Sequence, residues 1–181
     1  RHPVRISIPA VMKNNTIITA DDHPLLLKGL NDLLVERGYN IIGSAKDGRE
    51  AYALITKEQP DIAILDIQMP YLSGIEIAQK CKTNCLSTKI ILITLHKERE
   101  LYEQAKEMNI FGYILKEFAL EEIETCLENV LRGDHYFSPK IVGKLEKNNV
   151  DNSILDDLTP SERKILKLIG KDKTNKEIKD K

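Results

Sequence analysis

Five side chains stand where apolar runs end. Asp21 and Asp22 follow Thr16-Ile17-Ile18-Thr19-Ala20, and Asp66 follows Ile62-Ala63-Ile64-Leu65. Thr94 closes Lys89-Ile90-Ile91-Leu92-Ile93, and Lys116 closes Phe111-Gly112-Tyr113-Ile114-Leu115. A carboxylate nucleophile can take a phosphoryl group and form an acyl phosphate. Three carboxylates in one crevice repel each other, and a divalent cation relieves that repulsion. Mg2+ prefers hard oxygen ligands, usually one or two carboxylates plus a phosphate. On this reading Asp66 is the nucleophile, and Asp22 and Asp66 are direct Mg2+ ligands. Asp21 binds directly or through water, and the backbone carbonyl of Gln68 offers another oxygen. The ion would screen Asp66 from an incoming donor and clamp the transferring oxygens. Lys116 would pair with a phosphate oxygen as a point charge, and the Thr94 hydroxyl would donate to another.

Each residue alone has a plainer reading. Asp21-Asp22 before Pro24 could cap a helix. Asp66 could be a turn carboxylate, Thr94 a strand end and Lys116 a solvated charge. Their joint placement favours phosphoryl transfer, which needs metal ligands, a nucleophile, a hydroxyl and a cation together.

The elements that would position them alternate strictly. Predicted strands cover 16–20, 39–45, 61–66, 89–94 and 111–116, and the third is an apolar run without polar alternation. Such runs suit a parallel sheet covered on both faces. Predicted helices follow each strand: Pro24 to about Arg37, Asp47-capped to Glu58, Ser73 to about Thr83, Lys97 to Asn109, and Leu120 to Leu131. In the first of these, Leu25, Leu26, Leu30, Leu33 and Leu34 recur with helical period. Five β-α units imply an α/β, flavodoxin-like (βα)5 domain with sheet order 2-1-3-4-5. Strands 1 and 3 are then neighbours, and their C-terminal loops meet at the switch point where open sheets bind ligands.

The remaining sequence is less regular. Residues 1–11 carry no period and read as vector-derived, so the domain starts at 12 and runs to 132. Residues 133–157 read as a linker, with a short helix from Lys140 to Glu146. Thr159-Pro160-Ser161-Glu162 and Thr174-Asn175-Lys176-Glu177 are helix starts joined by Gly170-Lys171-Asp172-Lys173, the opening half of an all-α helix-turn-helix in 158–181. Residues 12–132 hold 14 Lys and Arg against 19 Asp and Glu, a net of −5; residues 159–181 hold 8 against 4, a net of +4. An acidic body with a basic end suggests that only the end meets a polyanion. No apolar run is long enough to span a membrane, and the three cysteines form no disulfide framework or metal spacing. These features suit a cytoplasmic protein.

Asp21-Asp22, Asp66 with Met69-Pro70 and Gly74, Thr94, and Tyr113 before Lys116 resemble the receiver domain of two-component response regulators. The resemblance covers 16–131. Gly112 to Glu117, Leu158 to Arg163 and Thr174 to Ile178 resemble the NarL/FixJ subfamily, whose output is a LuxR-type helix-turn-helix. The resemblance implies phosphorylation of Asp66 by a sensor histidine kinase, Mg2+ dependence, and homodimerisation on phosphorylation. It also implies a switch in which Thr94 moves toward the phosphate and Tyr113 turns inward. The expected function is a phosphorylation-controlled transcription regulator. A stand-alone receiver acting by protein contact or phosphorelay is the alternative. The helix-turn-helix as read stops short of a recognition helix, so specific DNA binding is expected of the full-length parent and not of this chain. A phosphatase with an Asp nucleophile ranks last. Its general acid would sit two residues on, where Gln68 cannot donate and recover a proton.

Two residues depart from the usual receiver pattern. Glu117 follows Lys116 where many receivers have proline, and the subfamily often lacks that proline. Leu95 is bulkier than the small residue often found after the threonine. We expect it to narrow access to Asp66, so Leu95→Ala should speed phosphorylation or hydrolysis in a phosphorylation time course. Equal rates in both chains would contradict that role.

Overall fold

A computed structural model describes residues 14–95 and 98–143. The readings of 1–11, of 144–157 and of the helix-turn-helix in 158–181 lie outside the described residues.

All five expected strands form: β1 Thr16–Ala20, β2 Asn40–Ala45, β3 Ile62–Asp66, β4 Lys89–Thr94 and β5 Gly112–Leu115. They make one sheet in the order β2-β1-β3-β4-β5, and every neighbouring pair is parallel. The fold is the flavodoxin-like α/β arrangement that the alternation implied. The helices are α1 Pro24–Glu36, α2 Gly48–Glu58, α3 Gly74–Thr83, α4 Arg99–Glu107 and α5 Ala119–Leu131. Among the described residues no helix is long and apolar enough to cross a membrane.

Every residue of β3 is buried, as its unbroken apolar run requires. One face of the sheet packs Ile17, Ile62, Ile64, Ile91 and Ile93 against Leu30 and Leu34 of α1 and Ile123, Leu127 and Val130 of α5. The alternate residues Ile18, Ala63, Leu65 and Leu92 are also buried and point to the other face. Helices α2, α3 and α4 bury Ala51, Ile55, Ile77, Ala78 and Ala105.

Local chemistry sets the helix starts. The Asp47 carboxylate accepts the Glu50 N–H at 2.8 Å. Ser73 and Glu76 form a full capping box, with Glu76 N–H donating to Ser73 Oγ at 3.0 Å and Ser73 N–H to Glu76 Oε1 at 2.8 Å. Gly74 can open α3 beside the end of β3 because it lacks a Cβ. A Cβ there would lie 2.6 Å from the Asp66 carbonyl oxygen. Its N–H donates to Ile67 O at 2.8 Å and closes the loop.

The structure differs from the sequence reading in three places. In α1 the buried leucines are Leu27, Leu30 and Leu34, while Leu25 is 87% exposed. Three consecutive leucines fit two helical registers, and the sheet selects the one spaced by three and four residues. Lys116 does not end β5 but opens a 3-10 turn, Lys116–Phe118. Finally, a sixth strand, β6 Tyr136–Phe137, adds parallel to β5 beyond the expected edge, and residues 139–143 are helical.

Candidate active site

Three strand ends converge at the C-terminal edge of the sheet. The Asp21 N–H donates to Ala45 O at 3.1 Å, which fixes the start of the β1–α1 loop against β2. Asp66 is the last residue of β3. Lys116 follows β5 directly and reaches across. Its ammonium lies 2.9 Å from Asp66 Oδ2 and 3.0 Å from Asp21 Oδ1. Asp21, Asp66 and Lys116 are 3%, 2% and 8% exposed, so this three-charge contact is almost dry. Asp22 stays open to solvent.

One ammonium cannot neutralise two carboxylates. Burial drives the Asp66 carboxyl up from the ordinary 3.8 to about 6, and the nearby Asp21 charge adds to the rise. The Lys116 hydrogen bond and charge oppose it, as does the Gln68 N–H, which donates to Asp66 Oδ1 at 3.2 Å.

The excess negative charge suits a cation. Asp21, Asp22, His23 and Asp66 each offer one ligand atom, all within 4.8 Å of one another. The three carboxylates make a hard oxygen set that fits Mg2+. The helix-cap alternative for Asp21-Asp22 does not describe their use here. His23 is the N-cap of α1 and makes no side-chain cap, and Asp21 Oδ1 accepts the His23 N–H at 2.8 Å.

His23 is the residue that sequence reasoning missed. Its Nδ1 lies 3.1 Å from Asp21 Oδ1 and 3.2 Å from Asp22 Oδ1, and it also contacts the Lys116 ammonium. Its position between an acidic pair and a helix-opening proline was the available signal.

Thr94 is fully buried at the end of β4, in register with Leu115. Leu95 beside it is 57% exposed. Tyr113 is already buried on β5, so the expected inward turn does not start from an exposed ring; the ring is edge-on to Tyr102 at 5.7 Å and stacked on Phe137 at 6.0 Å. Burial, then the Glu98 and Tyr102 charges, raises its hydroxyl above the usual phenol range. A cleft of about 690 Å3 opens at Asp22 and Gln68, walled by Met69, Pro70, Ile75 and Leu101.

The model of the response regulator receiver domain matches residues 17–128. The chain belongs to the response regulator receiver family. The transcriptional regulatory protein DesR of Bacillus subtilis is 32% identical over 165 residues, covering 90% of this chain and 78% of that protein. The oxygen regulatory protein NreC of Staphylococcus carnosus is 32% identical over 176 residues, covering 91% of this chain and 81% of NreC. Among solved structures, the signal receiver domain of a NarL response regulator from Mycobacterium tuberculosis superposes with a TM-score of 0.63 at 31% identity, covering 66% of this chain and 98% of that one. The relatives are of the NarL type that the motifs resemble. In this receiver the acidic group and the lysine sit at the C-terminal strand ends, where an open α/β sheet binds its ligands.

The raised Asp66 value has a sign that can be checked. Between pH 3.8 and about 6 the folded receiver holds a proton that the unfolded chain has released. Above about 6 both have released it, and the folded state bears the whole cost of the buried charge. Without metal, Asp66→Asn should therefore melt higher than the parent at pH 8, with Asp21 left to pair Lys116. The gain should shrink toward pH 4. A variant that melts lower than the parent at pH 8 would contradict this account.

Proposed function

We propose that Asp66 is the phosphoacceptor of this response regulator, charged by a sensor histidine kinase to control a DNA-binding output. The observation that carries the reading is the Lys116 ammonium held 2.9 Å from Asp66 Oδ2 in a nearly dry acidic site. A carboxylate oxygen of Asp66 attacks phosphorus. The P–N bond to the donor imidazole breaks, and its electron pair leaves with the nitrogen. The product is an acyl phosphate on Asp66. Lys116 turns from the carboxylate to a phosphoryl oxygen, and the Thr94 hydroxyl donates to another. Gln68 N–H orients Asp66 through Oδ1.

Asp21, Asp22, Asp66 and the Gln68 carbonyl would hold Mg2+. When bound, the ion offsets the carboxylate repulsion and stabilises charge on the transferring oxygens. Thr94 and Tyr113 form the switch. The receiver is not a turnover enzyme: water attack on the acyl phosphate returns Asp66 slowly, and Gln68 offers no acid–base group for an external substrate. The protein is cytoplasmic, dimerises on phosphorylation, and acts through a DNA-binding output.

Incubation with acetyl phosphate and Mg2+, followed by intact mass spectrometry, tests this. The parent should gain one phosphoryl group, and Asp66→Asn should gain none. Omission of Mg2+ should remove most of the gain. An unmodified parent would overturn the reading.

A further inference from the structure

Strand β6 is only two residues long, shorter than a ladder normally needs to hold itself. Its backbone bonds are Tyr136 N–H to Phe111 O at 2.8 Å and Ser138 N–H to Tyr113 O at 2.9 Å. The additional anchor is a carboxylate on α5. Glu122, only 9% exposed, accepts the Tyr136 hydroxyl on Oε1 at 3.0 Å and the Ser138 hydroxyl on Oε2 at 3.2 Å. One side chain therefore pins both residues that flank Phe137. Release of β6 would strip two hydrogen bonds at once from a buried carboxylate, and such a loss is costly.

Held in this way, Phe137 stacks parallel to Tyr113, 11° between planes, and meets Tyr102 of α4 edge-on at 5.4 Å. The chain that follows is seated as well. Ser138 Oγ accepts the Lys140 N–H at 3.3 Å, and Ile141 is 1% exposed. The Lys140 ammonium lies 3.6 Å over the Phe118 ring, in the turn that Lys116 opens. Residues 136–141 thus touch the elements on both sides of Lys116.

One polar atom in this cluster is unsatisfied. The Tyr113 hydroxyl is buried with no hydrogen-bond partner. Native interiors seldom leave such a group, because its lost hydration is not repaid. An orphaned hydroxyl on a ring packed against Phe137 points to a second arrangement in which it is bonded.

We propose that Glu122, Tyr136, Phe137 and Ser138 form a latch that passes the state of Asp66, through Lys116 and Tyr113, to the chain beyond residue 143. The latch rests on Asp66 being the phosphoacceptor. A phosphoryl group on Asp66 draws Lys116 away from Asp21 and shifts the end of β5. Tyr113 then turns its hydroxyl to a partner, Phe137 loses its stacking face, and β6 loosens. Phe137 and Glu122 are positioning residues that act through Tyr113.

Hydrogen exchange by mass spectrometry on the whole chain, with and without acetyl phosphate and Mg2+, tests the latch. Intact mass on the same samples gives the fraction phosphorylated. Phosphorylation should speed exchange at Tyr136, Ser138, Ile141 and Val142 about tenfold. Phe137→Ala should bring that ratio to near one at the parent's extent of phosphorylation. Phe137→Tyr keeps the ring and should keep the ratio. A ratio in the Ala variant that stays at the parent's value would show that β6 loosens without the ring and overturns the proposal. A fully phosphorylated parent with unchanged exchange at 136–142 also overturns the latch, alone. A parent that takes no phosphate overturns the phosphoacceptor reading and the latch with it.

Discussion

The ammonium of Lys116, shared by Asp21 and Asp66 in a nearly dry strand-end crevice, is the contact on which the rest depends. Two buried carboxylates and one lysine leave an uncompensated negative charge, as the raised Asp66 value reflects. In a low-dielectric site such an excess is expensive, and binding or covalent chemistry that relieves it is favoured. The site is therefore poised to take a cation. It is also poised to hand its lysine to a more negative partner.

The fold exists to hold that contact. Asp21, Asp66 and Lys116 come from the ends of β1, β3 and β5; the parallel sheet puts those ends on one edge, and its order makes β1 and β3 neighbours. β3 is buried on both faces, so a one-residue slip would either draw the Asp66 carboxylate into the apolar core or push Leu65 out to the strand end. Gly74 lets α3 begin against the Asp66 carbonyl, so the loop after Asp66 is short and closed. The same β5 that presents Lys116 also carries Tyr113 and pairs with β6. The proposed chemistry and the proposed readout thus share one strand.

Much of this was legible in the sequence. Apolar runs that stop at charged or hydroxyl residues locate strand ends, and strict alternation implies a parallel sheet, for which the flavodoxin-like order was the expectation. Asp21, Asp22, Asp66, Thr94 and Lys116 follow from that placement alone. What stayed hidden depends on tertiary partners. Glu122 lies on a helix rich in acidic residues and reads as solvent-facing. It is buried because hydroxyls 14 and 16 residues later come to it. Strand β6 is too short to show a period, and its partners Gly112 and Tyr113 lie on the far side of α5 in sequence. His23 reads as a chain breaker until α1 aims it at the acidic pair. The register of α1 was ambiguous because three adjacent leucines satisfy either face.

The central claim is that this buried pair with Lys116 makes one carboxylate, and no other, the phosphoryl acceptor. Trapping the acyl phosphate with borohydride, which reduces it to homoserine, and locating the altered residue by peptide mass spectrometry tests that directly. The account predicts homoserine at position 66 only. Homoserine at Asp21 or Asp22, or at none of the three in a chain that has gained phosphate, would contradict it.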